Sequence, residues 1–459
     1  MYYKRTIDHY LMEWRHSSSH KPVLLRGARQ VGKSTAVRNL ANSFENFVEI
    51  NFERTPVYGD LFVHDLDVKR ILSQMSAMYG KRIEPGNTLL FLDEIQMCPQ
   101  AIMALRFFWE DEPSLHVIAA GSLLEFALEE LPTFGVGRIH SMFMYPMTFD
   151  EFLLANGEDL LLETRNSCSA DNPLPMPLYK KITELLRTFI LVGGLPEVVA
   201  KWVETHDYLQ CQIIQDEIVL GYEDDFPKYR RHVNPTLLRL TLRSVATQMS
   251  KKFVYSEVGN GYKTAEVKRA VELLTLAGII VPAVHTAANG LPLGSEADNS
   301  YTKMLLMDTG IALRLLNMTM GDISEMTTQI LTATVADLVN KGPMAELLCG
   351  LEILHTQSPN IRTNLFYWQR MAKNSLAEID YVTVLRQKVL PIEVKAGVKG
   401  GMKSLWLFMR EKHLTHAVRC SLENFGSFSF VDKEDEDSVR HVDICPLYAL
   451  TMLPQICQL

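Results

Sequence analysis

Eight consecutive residues, Gly27-Ala28-Arg29-Gln30-Val31-Gly32-Lys33-Ser34, have the types and spacing needed to hold a chain of phosphates. They fit G-x-x-x-x-G-K-[ST], where glycines let backbone N–H groups wrap phosphate oxygens and the helix N-terminus adds its positive end. In that pattern Lys33 reaches the outer phosphates, Ser34 ligates magnesium through its hydroxyl, and Thr35 completes the nucleotide-contacting run. A pair of acids supplies the complementary chemistry. The stretch "NTLLFLDEIQ", 87–96, reads as a buried parallel strand ending in Asp93-Glu94. Asp93 is placed to hold the magnesium directly or through water, and Glu94 to polarise a water attacking the γ-phosphate. A third strand, "LHVIAAGS", ends at Ser122, a polar group positioned to sense that phosphate. In "TFGVGRIHSMFMYPMTFDEFL", Gly135 and Gly137 form a loop that ends at Arg138. That arginine suits either a finger acting on a neighbouring subunit's nucleotide or a structural ion pair.

A second chemical centre lies in "AEIDYVTVLRQKVLPIEVKAG", 377–397. It reads as two apolar strands joined by a short turn, yet it carries Asp380, Glu393 and Lys395. Glu393 and Lys395 are two residues apart on a strand, so both side chains leave one face. With Asp380 on the neighbouring strand, two carboxylates can hold magnesium as hard oxygen ligands while Lys395 orients a water. Glu346, in the first turns of an amphipathic helix, is a further metal-ligand candidate, and Glu378 shares the face of Asp380. The same residues are compatible with a same-face ion pair, or with a degenerate nuclease fold that keeps its charges.

Elements of recognisable pattern must position these groups. An apolar strand at 23–25 precedes the phosphate loop and a helical pattern follows it. "ITELLRTFILVGGLPEVVAKWVE" reads as two helices broken at Gly193-Gly194 and Pro196. "SKKFVYSEVGNGYKTAEVKRAVELLTLAGIIVPAVHT" has winged-helix order, with a helix at 265–277 and Lys263, Lys268 and Arg269 near its exposed side. From 343 onward the order is helix, three strands, helix, strand, which is that of a restriction-endonuclease-like core. The acidic run "VDKEDED", 431–437, reads as a solvated loop before the last strand.

Taken together, "LLRGARQVGKST", "LLFLDEIQ", "AAGSLLEF", "GRIHSMFMYPMTFDEFL", "GGLPEVV" and "LPIEVKAG" resemble the AAA-type ATPases of bacteria and archaea fused to a C-terminal domain of unknown function. The resemblance covers nearly the whole chain. It implies an α/β protein with a P-loop AAA-type parallel sheet and helical lid, a winged-helix-like middle and a C-terminal domain of PD-(D/E)XK nuclease-like fold. The expected divisions are an ATPase domain over 1–160, a lid and winged-helix-like region over 178–300, and a nuclease-like domain over 301–459. In the C-terminal signature Asp380 is the D, Glu393 the E and Lys395 the K. The resemblance implies ATP and Mg2+ as cofactors, DNA as a nucleic-acid partner, and a homo-oligomer.

Bulk properties narrow the setting. At 459 residues the chain exceeds one ordinary core, so several domains are expected. No apolar run approaches a membrane span, and the opening stretch lacks the unbroken apolar region of a signal peptide. Seven scattered cysteines without C-x-x-C suggest reduced thiols in a cytoplasm. The net charge of −8 argues against a wholly basic nucleic-acid coat and leaves a local basic groove open. No H-E-x-x-H or G-x-S-x-G occurs, which removes the common zinc-protease and serine-hydrolase readings.

Overall fold

The structure is a computed structural model that describes residues 2–122, 124–130, 137–229, 233–319, 334, 343–370, 377–395, 401–435 and 437–457. Its contacts divide it into two units. One comprises 1–146 with 276–278 and 358–362; the other comprises 147–275, 279–357 and 363–459.

The first unit is built on five parallel strands: β1 (Val23–Arg26), β2 (Asn46–Asn51), β3 (Thr88–Asp93), β4 (His116–Ala120) and β5 (His140–Phe143). Their order is β2-β3-β4-β1-β5. Helices cover both faces of such a sheet, so its central strands β3 and β4 are buried along their length. Leu89, Leu90, Phe91, Leu92, Val117, Ile118, Ala119 and Ala120 are all fully buried. Helices Val68–Tyr79 and Pro99–Asp111 contribute Ile71, Met75, Ile102 and Leu105 to the same core. Strand β1 lies inside the sheet, and the chain leaves its carboxyl end through the loop 27–32 into helix Lys33–Ala41. Ligands gather at the carboxyl ends of strands where the order reverses.

The second unit joins a helical region to an eight-stranded mixed sheet. Its strands are β6 (Ile280–Thr286), β7 (Ala297–Leu306), β8 (Leu365–Gln369), β9 (Glu378–Leu385), β10 (Lys388–Val394), β11 (His416–Ser421), β12 (Gly426–Asp432) and β13 (Ser438–Pro446). The order is β12-β13-β11-β10-β9-β8-β6-β7. Strands β8, β9 and β10 form an antiparallel meander, and β11 then returns parallel to β10 after helix Lys403–Glu411. That helix packs Leu405, Phe408 and Met409 against Trp368, Ile379 and Val442. The expected boundary at 300/301 falls inside β7, because the β6–β7 ribbon extends the same sheet through a parallel pairing of β6 with β8. The helix expected at 265–277 runs Thr264–Leu276.

The acidic run is less solvated than its composition suggests. Asp432 accepts from Nε of the buried Arg440 at 3.0 Å and from Arg410 at 3.1 Å, and Asp435 also pairs with Arg440. These guanidinium contacts tie the β12–β13 turn down and hold the Asp432 carboxyl below its ordinary range. No helix among the described residues is long and apolar enough to cross a membrane.

Candidate active sites

The first site sits at the carboxyl ends of β1, β3 and β4. Gly27 takes φ +144°, and a Cβ built there would lie 2.1 Å from the Met144 carbonyl oxygen. Gly32, at φ 95°, enters helix Lys33–Ala41 through the left-handed region, and Gln30 is also left-handed at φ 67°. This path through Gly27, Ala28, Arg29, Gln30, Val31 and Gly32 is one that a side chain would block at Gly27 and strain at Gly32, which fits a loop that cradles phosphate. Lys33 is buried, and its Nζ donates to Gly27 O at 2.8 Å and Ala28 O at 2.7 Å. Burial lowers its pKa to about 8, against the pull of Glu94 and Asp93.

The acids close the other side. Ser34 Oγ donates to Asp93 Oδ1 at 3.1 Å, and Asn51 Nδ2 donates to Asp93 Oδ2 at 3.1 Å. Burial and the neighbouring Glu94 raise the Asp93 pKa. Glu94 adopts the left-handed conformation at φ 48°, where the strand ends. Its Oε2 accepts from Ser122 Oγ at 3.1 Å, from Ser122 N–H at 3.3 Å and from Gln96 Nε2 at 2.5 Å. Ser34 and Asp93 thus present hard oxygens side by side beside the loop, a donor set suited to magnesium with phosphate. Asn51 and Gln96 were not singled out in the sequence; Asn51 is a polar residue ending β2, and Gln96 lies in the helical turn that follows β3. Arg138 is exposed and its Nε pairs with Glu110, which also binds Arg106. Gly135 lies outside the described residues.

The second site lies in the second unit. The β9–β10 register sets Ile392 opposite Tyr381, which brings Asp380 alongside Glu393 on one face. Asp380 Oδ2 accepts from Val394 N–H at 2.8 Å. Lys395 Nζ lies 2.5 Å from Glu393 Oε1, while Glu393 Oε2 is buried with no hydrogen-bond partner among the described residues. Helix Pro343–His355 carries Glu346 to the same place, anchored where Tyr381 OH donates to the Glu346 carbonyl at 2.7 Å. Burial, and then Asp380, raise the pKa of both Glu346 and Glu393; burial raises that of Asp380.

A residue the sequence reading passed over stands among them. Lys303, on β7, is 3% exposed. Its Nζ pairs with Glu378, lies 3.4 Å from Glu346 Oε2 and 4.0 Å from Asp380 Oδ1. Burial opposes its charge, yet Glu346, Glu378 and Asp380 outweigh burial and hold the ammonium above the ordinary lysine range. Among the described residues no group of three or more His, Cys, Asp or Glu is arranged to hold a metal ion. Asp380, Glu393, Glu346 and Glu378 form one charge network with the ammonium groups of Lys303 and Lys395. In the winged-helix-like stretch, Arg269 bonds Glu272 at 3.1 Å and Lys268 lies over the Tyr255 ring, so neighbours already engage these cations.

Comparison with known proteins places the first site in a class. Residues 19–153 match the family model described as an AAA domain. This part of the chain is an AAA-type P-loop ATPase domain. Residues 183–322 and 341–448 match two domains of unknown function, DUF8612 and DUF4143. The uncharacterized protein MJ1637 of Methanocaldococcus jannaschii is 26% identical over 200 residues, 42% of this chain. The match spans 41% of that relative's length. Among solved structures, the Walker-type ATPase PABY2304 of Pyrococcus abyssi is 15% identical, with 69% of this chain and 96% of that one covered at a TM-score of 0.44. The Aeropyrum pernix ORC1 protein in complex with DNA is 14% identical, with 67% and 90% covered at a TM-score of 0.28.

Proposed function

We propose that the chain hydrolyses ATP with magnesium and uses the nucleotide cycle to govern a C-terminal nuclease-like domain acting on DNA. The observation that carries the first half is the meeting of Ser34, Asp93 and Glu94 beside the Lys33 loop at the strand ends. In this reading the loop N–H groups and Lys33 bind the phosphates, and Ser34 and Asp93 hold Mg2+, which neutralises charge on the phosphate oxygens. Glu94 takes the proton of the attacking water, and Ser122, bonded to it, reports the γ-phosphate.

For the second half, the support is the sequence of helix, antiparallel meander, helix and parallel strand, with Asp380, Glu393 and Lys395 on adjoining strands. This is the arrangement implied by the PD-(D/E)XK resemblance, and the β6–β7 ribbon after helix Thr264–Leu276 suits a winged helix. Asp380 and Glu393 hold the metal in this reading, Lys395 orients the water, and Glu346 supports the cluster. A rival reading is favoured by Lys303, whose ammonium already lies among these acids. It makes the C-terminal domain a nucleotide-switched adaptor that binds nucleic acid or protein without cutting.

Purified protein with Mg2+ or Mn2+ and plasmid DNA separates the two. Loss of cleavage in Lys395→Ala with ATP turnover intact supports the enzyme, and a Glu94→Gln variant should lose turnover by about 10²–10⁴-fold. Failure of the wild type to cut supercoiled, linear or single-stranded DNA favours the adaptor. The cytoplasmic setting and homo-oligomeric state belong to the same proposal. Restored turnover on mixing Arg138→Ala with Glu94→Gln would place Arg138 across a subunit boundary; its pairing with Glu110 favours a structural role.

A further inference from the structure

Four carboxylates converge at the second site, and Lys303 reaches three of them from a strand that is distant in sequence. Surface ion pairs of this kind contribute little, but here the ammonium is almost wholly out of water. Beside Lys303 and Glu346, the cavity also lined by Met249, Ser250, Leu347 and Tyr381 has a volume of about 10 Å³. That is room for about one water molecule. A magnesium ion retains several waters when it binds carboxylates, and this cavity beside Glu346 does not hold them. Oε2 of Glu393, buried and without a partner among the described residues, is an acceptor at the same cluster that neither lysine binds.

We propose that Lys303 is a built-in counter-cation that keeps divalent metal away from Glu346, Asp380 and Glu393, so that metal binds only once the ammonium leaves. The inference rests on reading these carboxylates as a metal site. The two cations are alternatives because both would neutralise Glu346 and Asp380. With Lys303 in place, a dication meets a monocation a few ångströms away, and the Glu346 side of the cluster has room for about one water. With it withdrawn, the same acids are left buried with too little positive charge, and a dication becomes the favourable partner. The Glu378 side chain is 36% exposed, which marks the side on which the ammonium can reach solvent. A lysine has the stem flexibility for that movement without any change in β7.

Binding of Mn2+ by nucleotide-free full-length protein tests this, with free ion measured by electron paramagnetic resonance. Lys303→Met is expected to bind at least ~10-fold more tightly than wild type, because a charge repelling the ion at about 4 Å is gone. Its melting midpoint should rise with Mn2+, Lys303→Arg should behave as wild type, and Lys303→Met combined with Asp380→Asn should lose the gain. Equal Mn2+ affinity in wild type and Lys303→Met overturns the counter-cation. In that event, binding that still depends on Asp380 leaves the metal site standing, whereas none in either protein removes both. Should Lys303→Met fail to fold alone, its refolding with and without Mn2+ is compared, and no difference also overturns the proposal.

Discussion

Substituting Gly27 by alanine should damage nucleotide binding far more than the same change at Gly80, though both glycines have positive φ. Gly80, at φ 74°, ends helix Val68–Tyr79, and an added Cβ meets nothing within 4 Å. Its cost is the left-handed backbone alone, about 1–2 kcal/mol. At Gly27 the φ of 144° is equally foreign to a side chain, and the added Cβ lies 2.1 Å from Met144 O, where ordinary contact begins at 3.4 Å. A backbone carbonyl cannot rotate away as a side chain does. The end of β5 must retreat, and the bond from Met144 N–H to Arg26 O, now 2.8 Å, is strained or broken. Strain and the lost bond together come to roughly 2–4 kcal/mol. The displaced residues also aim the loop N–H groups proposed to bind phosphate. Titration with a fluorescent ATP analogue should show Gly27→Ala weakened by more than about tenfold and Gly80→Ala unchanged within about twofold. Wild-type affinity in Gly27→Ala, with a melting midpoint no lower than that of Gly80→Ala, would refute the steric argument.

Two pH-dependent outcomes accompany it. Lys33 titrates near 8, so above that pH the nucleotide-free protein carries a neutral amine where polyphosphate needs an ammonium. Binding at pH 9 should take up about one proton and weaken as pH rises, while binding between pH 6 and 7 should not; calorimetry in buffers of different ionisation enthalpy reads this directly. Glu352 is buried and its carboxyl is raised to about 8, first by burial and then by Asp150. The folded state therefore holds a proton that the unfolded state releases, and the associated stability is lost as pH climbs from about 4.5 to 8. Glu352→Gln keeps an acceptor for the Phe149 N–H, now bonded at 2.9 Å. Urea denaturation should show its stability relative to wild type improving by a few kcal/mol, at most about 5, between pH 5 and pH 8; a pH-independent difference would refute the assignment.

Much of the first site was legible because its chemistry is local. The loop from Gly27 to Ser34 needs glycines at fixed offsets, and a strand buried on both faces shows as an unbroken apolar run ending in Asp93-Glu94. Glu393 and Lys395 were likewise readable as same-face neighbours, since alternation along a strand is a property of the backbone. The register that brings Asp380 to them follows from the short turn joining β9 and β10.

Other features depended on which surfaces meet. Asn51 touches Asp93 because β2 and β3 pair in parallel, a contact across 42 residues. Arg138 finds Glu110 on a helix that sequence alone could not align with it. Lys303 is the clearest case. Its segment reads as an ordinary strand, and a single lysine there suggests a solvated edge. Only the folding of the β6–β7 ribbon into the sheet carries it to carboxylates 43, 75 and 77 residues away. Residue types at short spacing determined what each pocket could bind; the pairing of distant strands decided which charges share it, because Coulomb interactions in a buried site depend on distance in space and carry no mark in the chain.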